Sequence, residues 1–112
     1  MKVIKFSSNL VPLVLSGEKT RTWRFFDDKN LSVGDELSLV NKQTLSEFAK
    51  AKIIFVKEKK FSDLTDIDFL GHELFKSTDE MYKTYQSYYG DRIVPETVIK
   101  IIDFEVLSTN NR

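Results

Sequence analysis

The 112-residue chain contains no cysteine. Disulfide staples, zinc–thiolate sites and thiol nucleophiles are therefore excluded from its chemistry. There is a single histidine, His72, so a multi-histidine metal site is excluded as well. No apolar run approaches the roughly 18 residues of a membrane span. The opening M-K-V-I-K-F-S-S lacks the apolar stretch of a signal peptide. The expectation is an intracellular, cytoplasmic protein without a membrane partner. A surplus of charge is also missing, since 17 basic side chains balance 17 acidic ones. A globally basic nucleic-acid binder would show more positive charge. The balance is nevertheless uneven. Basic residues outnumber acidic ones over residues 1–60, and acidic residues dominate from Phe61 to Gly90. A local basic surface sized for one nucleotide or a short loop is compatible with that distribution.

What is present suits one folded domain spanning residues 1–112, with a polar tail from about residue 108 that is expected to fray. Val3 to Phe6 reads as a strand. Leu10 to Leu15 reads as a short helix, with Asn9 as cap, Pro12 in its first turn and Gly17 as a left-handed stop. Thr20 to Phe26 is rich in threonine and aromatics and reads as a strand, followed by a polar turn over Asp27, Asp28, Lys29 and Asn30. Gly34-Asp35 marks a turn into a strand over Glu36 to Val40, and Phe48 to Val56 is the next strand. Phe61 to Phe69 has helical spacing. Ser77 opens the capping-box pattern S-T-D-E ahead of a helix carrying Met81, Tyr82, Tyr85, Tyr88 and Tyr89 on one face, with Gly90 as its stop. Val98 to Leu107 reads as a long final strand. Without repeated βαβ units, the segregated elements predict an α+β domain whose five or six strands form a small curled sheet or barrel.

The densest candidate for chemistry is G-E-K-T-R-T-W-R, Gly17 to Arg24. In a strand, Thr20, Thr22 and Arg24 share one face and Arg21 and Trp23 the other. Two hydroxyls beside a guanidinium suit an anion or a carbonyl. Lys19, at the helix-to-strand turn, is free to reach the threonine face. The bland alternative is a row of solvated charges on an exposed β edge. Glu73 lies in G-H-E-L-F, and burial there is expected to raise its pKa and fit it for proton transfer. The alternative is a solvent-facing loop carboxylate. His72 reads as a packed residue without an assigned role. The tyrosine stripe suits a helix face packed on the sheet, or a base-stacking platform, and Trp23 suits either the core or a base.

The stretch L-V-L-S-G-E-K-T-R-T-W-R resembles the opening signature of the ASCH domain family. V-G-D-E-L resembles its turn into the next strand, G-H-E-L-F-K-S-T-D-E-M-Y-K-T-Y-Q-S-Y-Y-G its helical insert, and V-P-E-T-V-I-K-I-I-D-F-E-V-L its closing strand. The likeness runs from about Phe6 to Leu107. It implies a PUA-like β barrel with flanking helices, a fold associated with RNA binding and recognition of modified bases. Some bacterial ASCH proteins are amidohydrolases that deacetylate N4-acetylcytidine through a lysine, a threonine and a glutamate. By motif position these fall on Lys19, Thr22 and Glu73, the last with an allowance of one residue, and the family arginine falls on Arg24. Where the deacetylase form reads close to G-R-K-T-I-T-I-R, this chain has Glu18, Arg21 and Trp23, which changes the pocket rim.

Three classes of function follow. The first is an RNA- or nucleotide-binding module that recognises a modified base, with Thr20, Arg21, Trp23 and Arg24 as contacts. The second is a metal-independent amidohydrolase acting on an acylated cytosine through Lys19, Thr22 and Glu73. The third is a protein-interaction module. No metal or other cofactor is expected. An enzyme requires Lys19, Thr22 and Glu73 around one base-sized pocket. Binding alone requires an open groove with Arg21, Arg24 or lysines along it.

Overall fold

The computed structural model describes residues 1–27 and 29–110; part of the expected polar turn, Asp28, and the end of the polar tail, 111–112, lie outside the described residues. Five strands form one sheet: β1 (Lys2–Phe6), β2 (Arg21–Phe25), β3 (Glu36–Asn41), β4 (Glu47–Lys60) and β5 (Val98–Thr109). Two α-helices accompany them, α1 (Val11–Ser16) and α2 (Thr78–Tyr89). The sheet order is β1-β3-β4-β5-β2, with β1 parallel to β3 and the other pairs antiparallel. The architecture is α+β, a five-stranded curled half-barrel. No helix among the described residues is long and apolar enough to cross a membrane.

Local chemistry accounts for most boundaries. A 3-10 turn at Ser8–Leu10 leads into α1, which has Pro12 in its first turn. There a missing N–H loses no helical bond. Gly17 closes α1 at φ 86°, its N–H bonded to the Val14 carbonyl. Ser77 caps α2 by accepting from the Glu80 N–H. The stretch 61–69 departs from expectation. It forms two 3-10 turns, Phe61–Asp63 and Asp66–Phe69, instead of one helix. Leu64 and Thr65 are extended, and a reciprocal Thr65–Asp68 capping box starts the second turn afresh. Strand β4 continues past Val56 through Lys60, and β5 continues through Thr109, with the Asn110 N–H bonded to the Phe48 carbonyl.

Register shifts at Leu39/Val40, Lys50/Ala51 and Ile53/Phe55 bend the sheet. One core fills the inside of the curl, where Ala49 and Ala51 leave room for Phe6 to pack with Phe48 and Phe104 at centroid distances of 6.2 and 5.9 Å. A second core lies between the sheet and α2 and unites Trp23, Phe25, Phe61, Tyr85, Ile99 and Ile101. Central β5 feeds both, Ile99 and Ile101 to one side and Ile102 and Phe104 to the other. The ends of the sheet, β1 and β2, are bridged by side chains. Arg24 Nη2 donates to the Lys5 carbonyl at 3.0 Å and Lys29 Nζ to the Val3 carbonyl at 2.6 Å. The seam between β1 and β2 is where the fold opens.

Candidate functional site

Strand parity sets the site. Trp23 and Phe25 point into the core beneath α2, so Thr22 and Arg24 point the other way, toward the seam. Lys19 follows α1, and its N–H bonds to the Leu13 carbonyl, which fixes the turn. The third element is the loop after the second 3-10 turn. Gly71, at φ 74°, accepts at its carbonyl from the N–H groups of both Thr20 and Arg21, at 2.9 and 3.0 Å. That double bond docks the loop on the start of β2 and brings Glu73 to Lys19. Asp68 anchors the loop from below. It is fully buried, with Lys57 Nζ at 2.6 Å, Lys59 Nζ at 2.7 Å and the Thr65 N–H at 2.8 Å, and its carbonyl accepts from Trp23 Nε1.

A cavity of about 230 Å³ results, open to solvent at the seam. Lys19, Thr22, Arg24 and Glu73 line it together with Tyr85 and Tyr88 of α2. Lys19 is 3% exposed, and its Nζ donates to Glu73 Oε2 at 2.5 Å and to the Arg21 carbonyl at 2.9 Å. The third ammonium proton has no partner among the described residues. Thr22 Oγ1 accepts from Arg24 Nε at 3.2 Å, which leaves its own hydrogen free to donate. The Phe6 ring lies under both cations, 5.9 Å from Lys19 Nζ and 5.1 Å from the Arg24 guanidinium.

Burial lowers the pKa of Lys19, with Glu73 opposing the shift and Arg24 reinforcing it. Burial likewise weakens the hold of Arg24 on its proton. Glu73 corrects the expectation from sequence. Burial pushes its carboxyl up, but the neighbouring His72 and Lys19 outweigh it, and the pKa lies below the usual value. Glu73 is therefore a carboxylate, an acceptor instead of a proton donor. Burial and the Lys19 charge lower His72 to about 4, so the ring is neutral near pH 7. Its Nδ1 lies 2.8 Å from the Glu73 carbonyl, which only accepts, so the proton sits on Nδ1. Nε2 then accepts from the Tyr85 hydroxyl at 3.1 Å. Burial raises the Tyr85 phenol well above its ordinary pKa, consistent with a donor. The imidazole also stacks on Trp23 at 3.8 Å and 13°. His72 thus works as packing that aims the backbone of Glu73.

Of the residues singled out in the sequence, Lys19, Thr22, Arg24 and Glu73 meet in this cavity. Trp23 reaches its wall, but its ring is buried between His72 and Phe69. Thr20 and Arg21 do not reach it. Thr20 faces a shallow cleft beside Leu15 and Ile54. Arg21 is held in a two-pronged pair with its cross-strand partner Asp103, at 2.5 and 2.9 Å, and donates to the Ile67 carbonyl. The sequence reading missed Lys5, Phe6 and Lys42, which also line the cavity. Lys42 Nζ lies 5.2 Å over the exposed Tyr88 ring. Of the tyrosine stripe, Tyr85 is buried against the sheet and Tyr88 stands exposed at the rim.

No protein-family model matches this sequence, and no curated protein matches it significantly. Solved structures do resemble it. An ASCH domain from Lactobacillus crispatus superposes with a TM-score of 0.72 at 14% identity, over 96% of this chain and 79% of that one. A protein from Enterococcus faecalis assigned to family DUF984 gives 0.76 at 18% identity, over 93% and 73%. The ASCH protein of Zymomonas mobilis gives 0.69 at 12% identity, over 96% and 68%. These likenesses extend over nearly the whole chain, so the chain has the fold of the ASCH domain.

Proposed function

We propose that the seam cavity binds a nucleobase, presented by RNA or by a nucleotide, in a cytoplasmic setting. One observation carries this reading: Lys19, Thr22, Arg24 and Glu73 converge on one small cavity with a tyrosine at its rim. Its volume of about 230 Å³ lies below the range of drug-sized or cofactor pockets, which is roughly 300–1,000 Å³. The Glu73 carboxylate is an acceptor for an exocyclic amino group, as carboxylates are for cytosine. Lys19 and Thr22 offer protons to a ring carbonyl or an unprotonated ring nitrogen. Tyr88 offers a face for stacking. The association of this fold with RNA points the same way. Calorimetric titration with cytidine and N4-acetylcytidine tests the reading. Binding weakened about 10-fold or more by Glu73→Gln is expected for a lost charged acceptor; binding that ignores both Glu73→Gln and Thr22→Val removes the cavity from the account.

A second reading is favoured by the depressed pKa of Lys19 beside the free Thr22 hydroxyl hydrogen. In it the cavity cleaves the amide of an acylated cytosine. The neutral form of Lys19 takes the Thr22 proton as Thr22 Oγ1 bonds to the acyl carbon. The resulting ammonium returns that proton to the departing amino nitrogen as the carbon–nitrogen bond breaks. Water, losing a proton to Lys19, then bonds to the acyl carbon; the bond from that carbon to Thr22 Oγ1 breaks, the acid departs, and the Lys19 ammonium returns the proton to Thr22 Oγ1. Glu73, an anion, orients the base and keeps Lys19 in place. Incubation with N4-acetylcytidine and chromatography of cytidine decides it. Loss of turnover in Lys19→Ala and Thr22→Ala is expected, and no turnover by the parent protein eliminates this substrate.

A further inference from the structure

The base cavity does not end at Arg24. A second cleft, of about 360 Å³, continues along the seam and shares Lys5, Arg24 and Tyr89 with the first. Its far wall holds Phe26, Lys29 and Arg92. Among the described residues, Lys5, Arg24, Lys29 and Arg92 form no ion pair, and all four line this one cleft. The carboxylate that does line the cleft, Asp27, is already engaged by Lys100 Nζ at 2.6 Å and by the N–H groups of Lys29 and Leu31.

Phe26 adds a second, independent observation. It has φ 51°, a left-handed backbone that costs a bulky residue roughly 1–2 kcal/mol. The residue is 41% exposed, and its ring meets the Tyr89 ring edge-on at 6.0 Å along the cleft. The Arg92 guanidinium lies 4.0 Å over that ring. A guanidinium stacked in this way keeps its N–H edge free for oxygen acceptors. Lys29 gives one N–H to the Val3 carbonyl at 2.6 Å and retains two. Stacked arginine, free ammonium and an edge ring together make an acceptor-hungry cleft directly beside the base cavity.

We infer that the second cleft is a phosphate subsite: Arg92, Lys29 and Lys5 take the phosphate adjoining the base held in the first cavity. The ligand is then a nucleotide, free or within a single RNA strand, instead of a bare nucleoside. The assignment of the neighbouring base rests on the function proposed above; the cationic chemistry of the cleft stands apart from it. Both Lys29 and Arg92 are exposed, so their substitution leaves the core untouched.

The test titrates the whole chain with cytidine, cytidine 5′-monophosphate, cytidine 3′-monophosphate, inorganic phosphate and a cytidine tetranucleotide, for the parent and for Lys29→Gln combined with Arg92→Gln. A monophosphate of one polarity is expected to bind about 10-fold more tightly than cytidine, with a gain that fades as salt rises. The double variant should lose that gain. A further gain with the tetranucleotide identifies an RNA strand as the source of the phosphate, and equal affinity identifies a free nucleotide. A monophosphate that binds no better than cytidine, or a gain that survives the double variant, overturns the inference while leaving base binding intact. Phosphate-bearing probes that bind through Lys29 and Arg92 when cytidine does not bind at all would sink the base reading and leave the subsite standing. Failure of every phosphate-bearing probe overturns it outright.

Discussion

Replacing Glu73 with glutamine should cost more stability than replacing Lys19 with methionine, although each removes one partner of the same pair. Lys19 Nζ and Glu73 Oε2 are 2.5 Å apart, and the two side chains are 3% and 26% exposed. At that separation and an effective dielectric of about 20 the attraction is roughly 6–7 kcal/mol, most of which desolvation offsets. Glu73→Gln strands an ammonium that water barely reaches. The usual cost of breaking a buried pair is about 3–5 kcal/mol. The Arg21 carbonyl still holds Lys19, and Glu73 is partly solvated, so about 2–3 kcal/mol is expected. Lys19→Met strands a carboxylate that water reaches through the cavity mouth, and about 1 kcal/mol is expected. The pH dependence supplies the sign. The folded pKa of Lys19 is lowered, so the folded state binds its proton less tightly than the unfolded chain does. Stability from this group is therefore depressed below the folded pKa and recovers as pH rises toward the ordinary value of 10.5. Glu73→Gln removes the main opposing influence, so its deficit should shrink as pH rises from 7 toward 10. Urea denaturation across that range measures this. A Glu73→Gln deficit that is no larger than that of Lys19→Met, or that grows with pH, would refute the reasoning.

Three further outcomes follow from the frame around the cavity. Gly71→Ala should destabilise by about 2 kcal/mol or more, because φ 74° strains alanine and its Cβ would collide with Thr20 Oγ1; a melting temperature within a degree of the parent argues against this docking of the loop. Burial pushes the Asp68 carboxyl up, but Lys57, Lys59 and the Thr65 N–H hold it far below the usual carboxylate value of 3.8. Its contribution is thus fully present above that value and is lost only gradually as pH falls below it, so Asp68→Asn should cost about 2 kcal/mol at pH 7 and somewhat less at pH 3 by denaturant unfolding. The His72 ring should titrate in NMR spectra near pH 4, and its share of stability should decline as pH falls from about 6.5 toward 4. A midpoint near 6.5 contradicts its burial between Trp23 and Tyr85.

Features of this molecule that depend on a few neighbouring residues were legible in the sequence. Gly17, the Ser77 capping box and the Gly34 turn declare themselves through local backbone chemistry, and parity alone placed Thr22 and Arg24 on one face, opposite Trp23. Glu73 stood out through its apolar neighbours in G-H-E-L-F and through family likeness, but nothing within its own segment predicts the contact with Lys19. The rest needed the sheet. Lys5 and Phe6 reach the site only because β1 pairs with β3, leaving its other edge toward β2. Arg21 and Thr20 belong to the same motif but are diverted by Asp103, across the ladder, and by Gly71, fifty residues on in sequence. The direction of the Glu73 shift was read from burial alone and came out reversed, because the opposing cation sits 54 residues away.

One cavity, held by Lys19, Thr22, Arg24 and Glu73, is the proposed seat of the base. Amide chemical shifts followed by two-dimensional NMR during titration with N4-acetylcytidine test it most directly. Saturable changes are expected at Lys19, Thr22 to Arg24, His72 to Glu73 and Tyr85 to Tyr89, and should vanish in Glu73→Gln. Changes centred instead on the exposed Leu70 and Leu74, or no change at millimolar ligand, would contradict it.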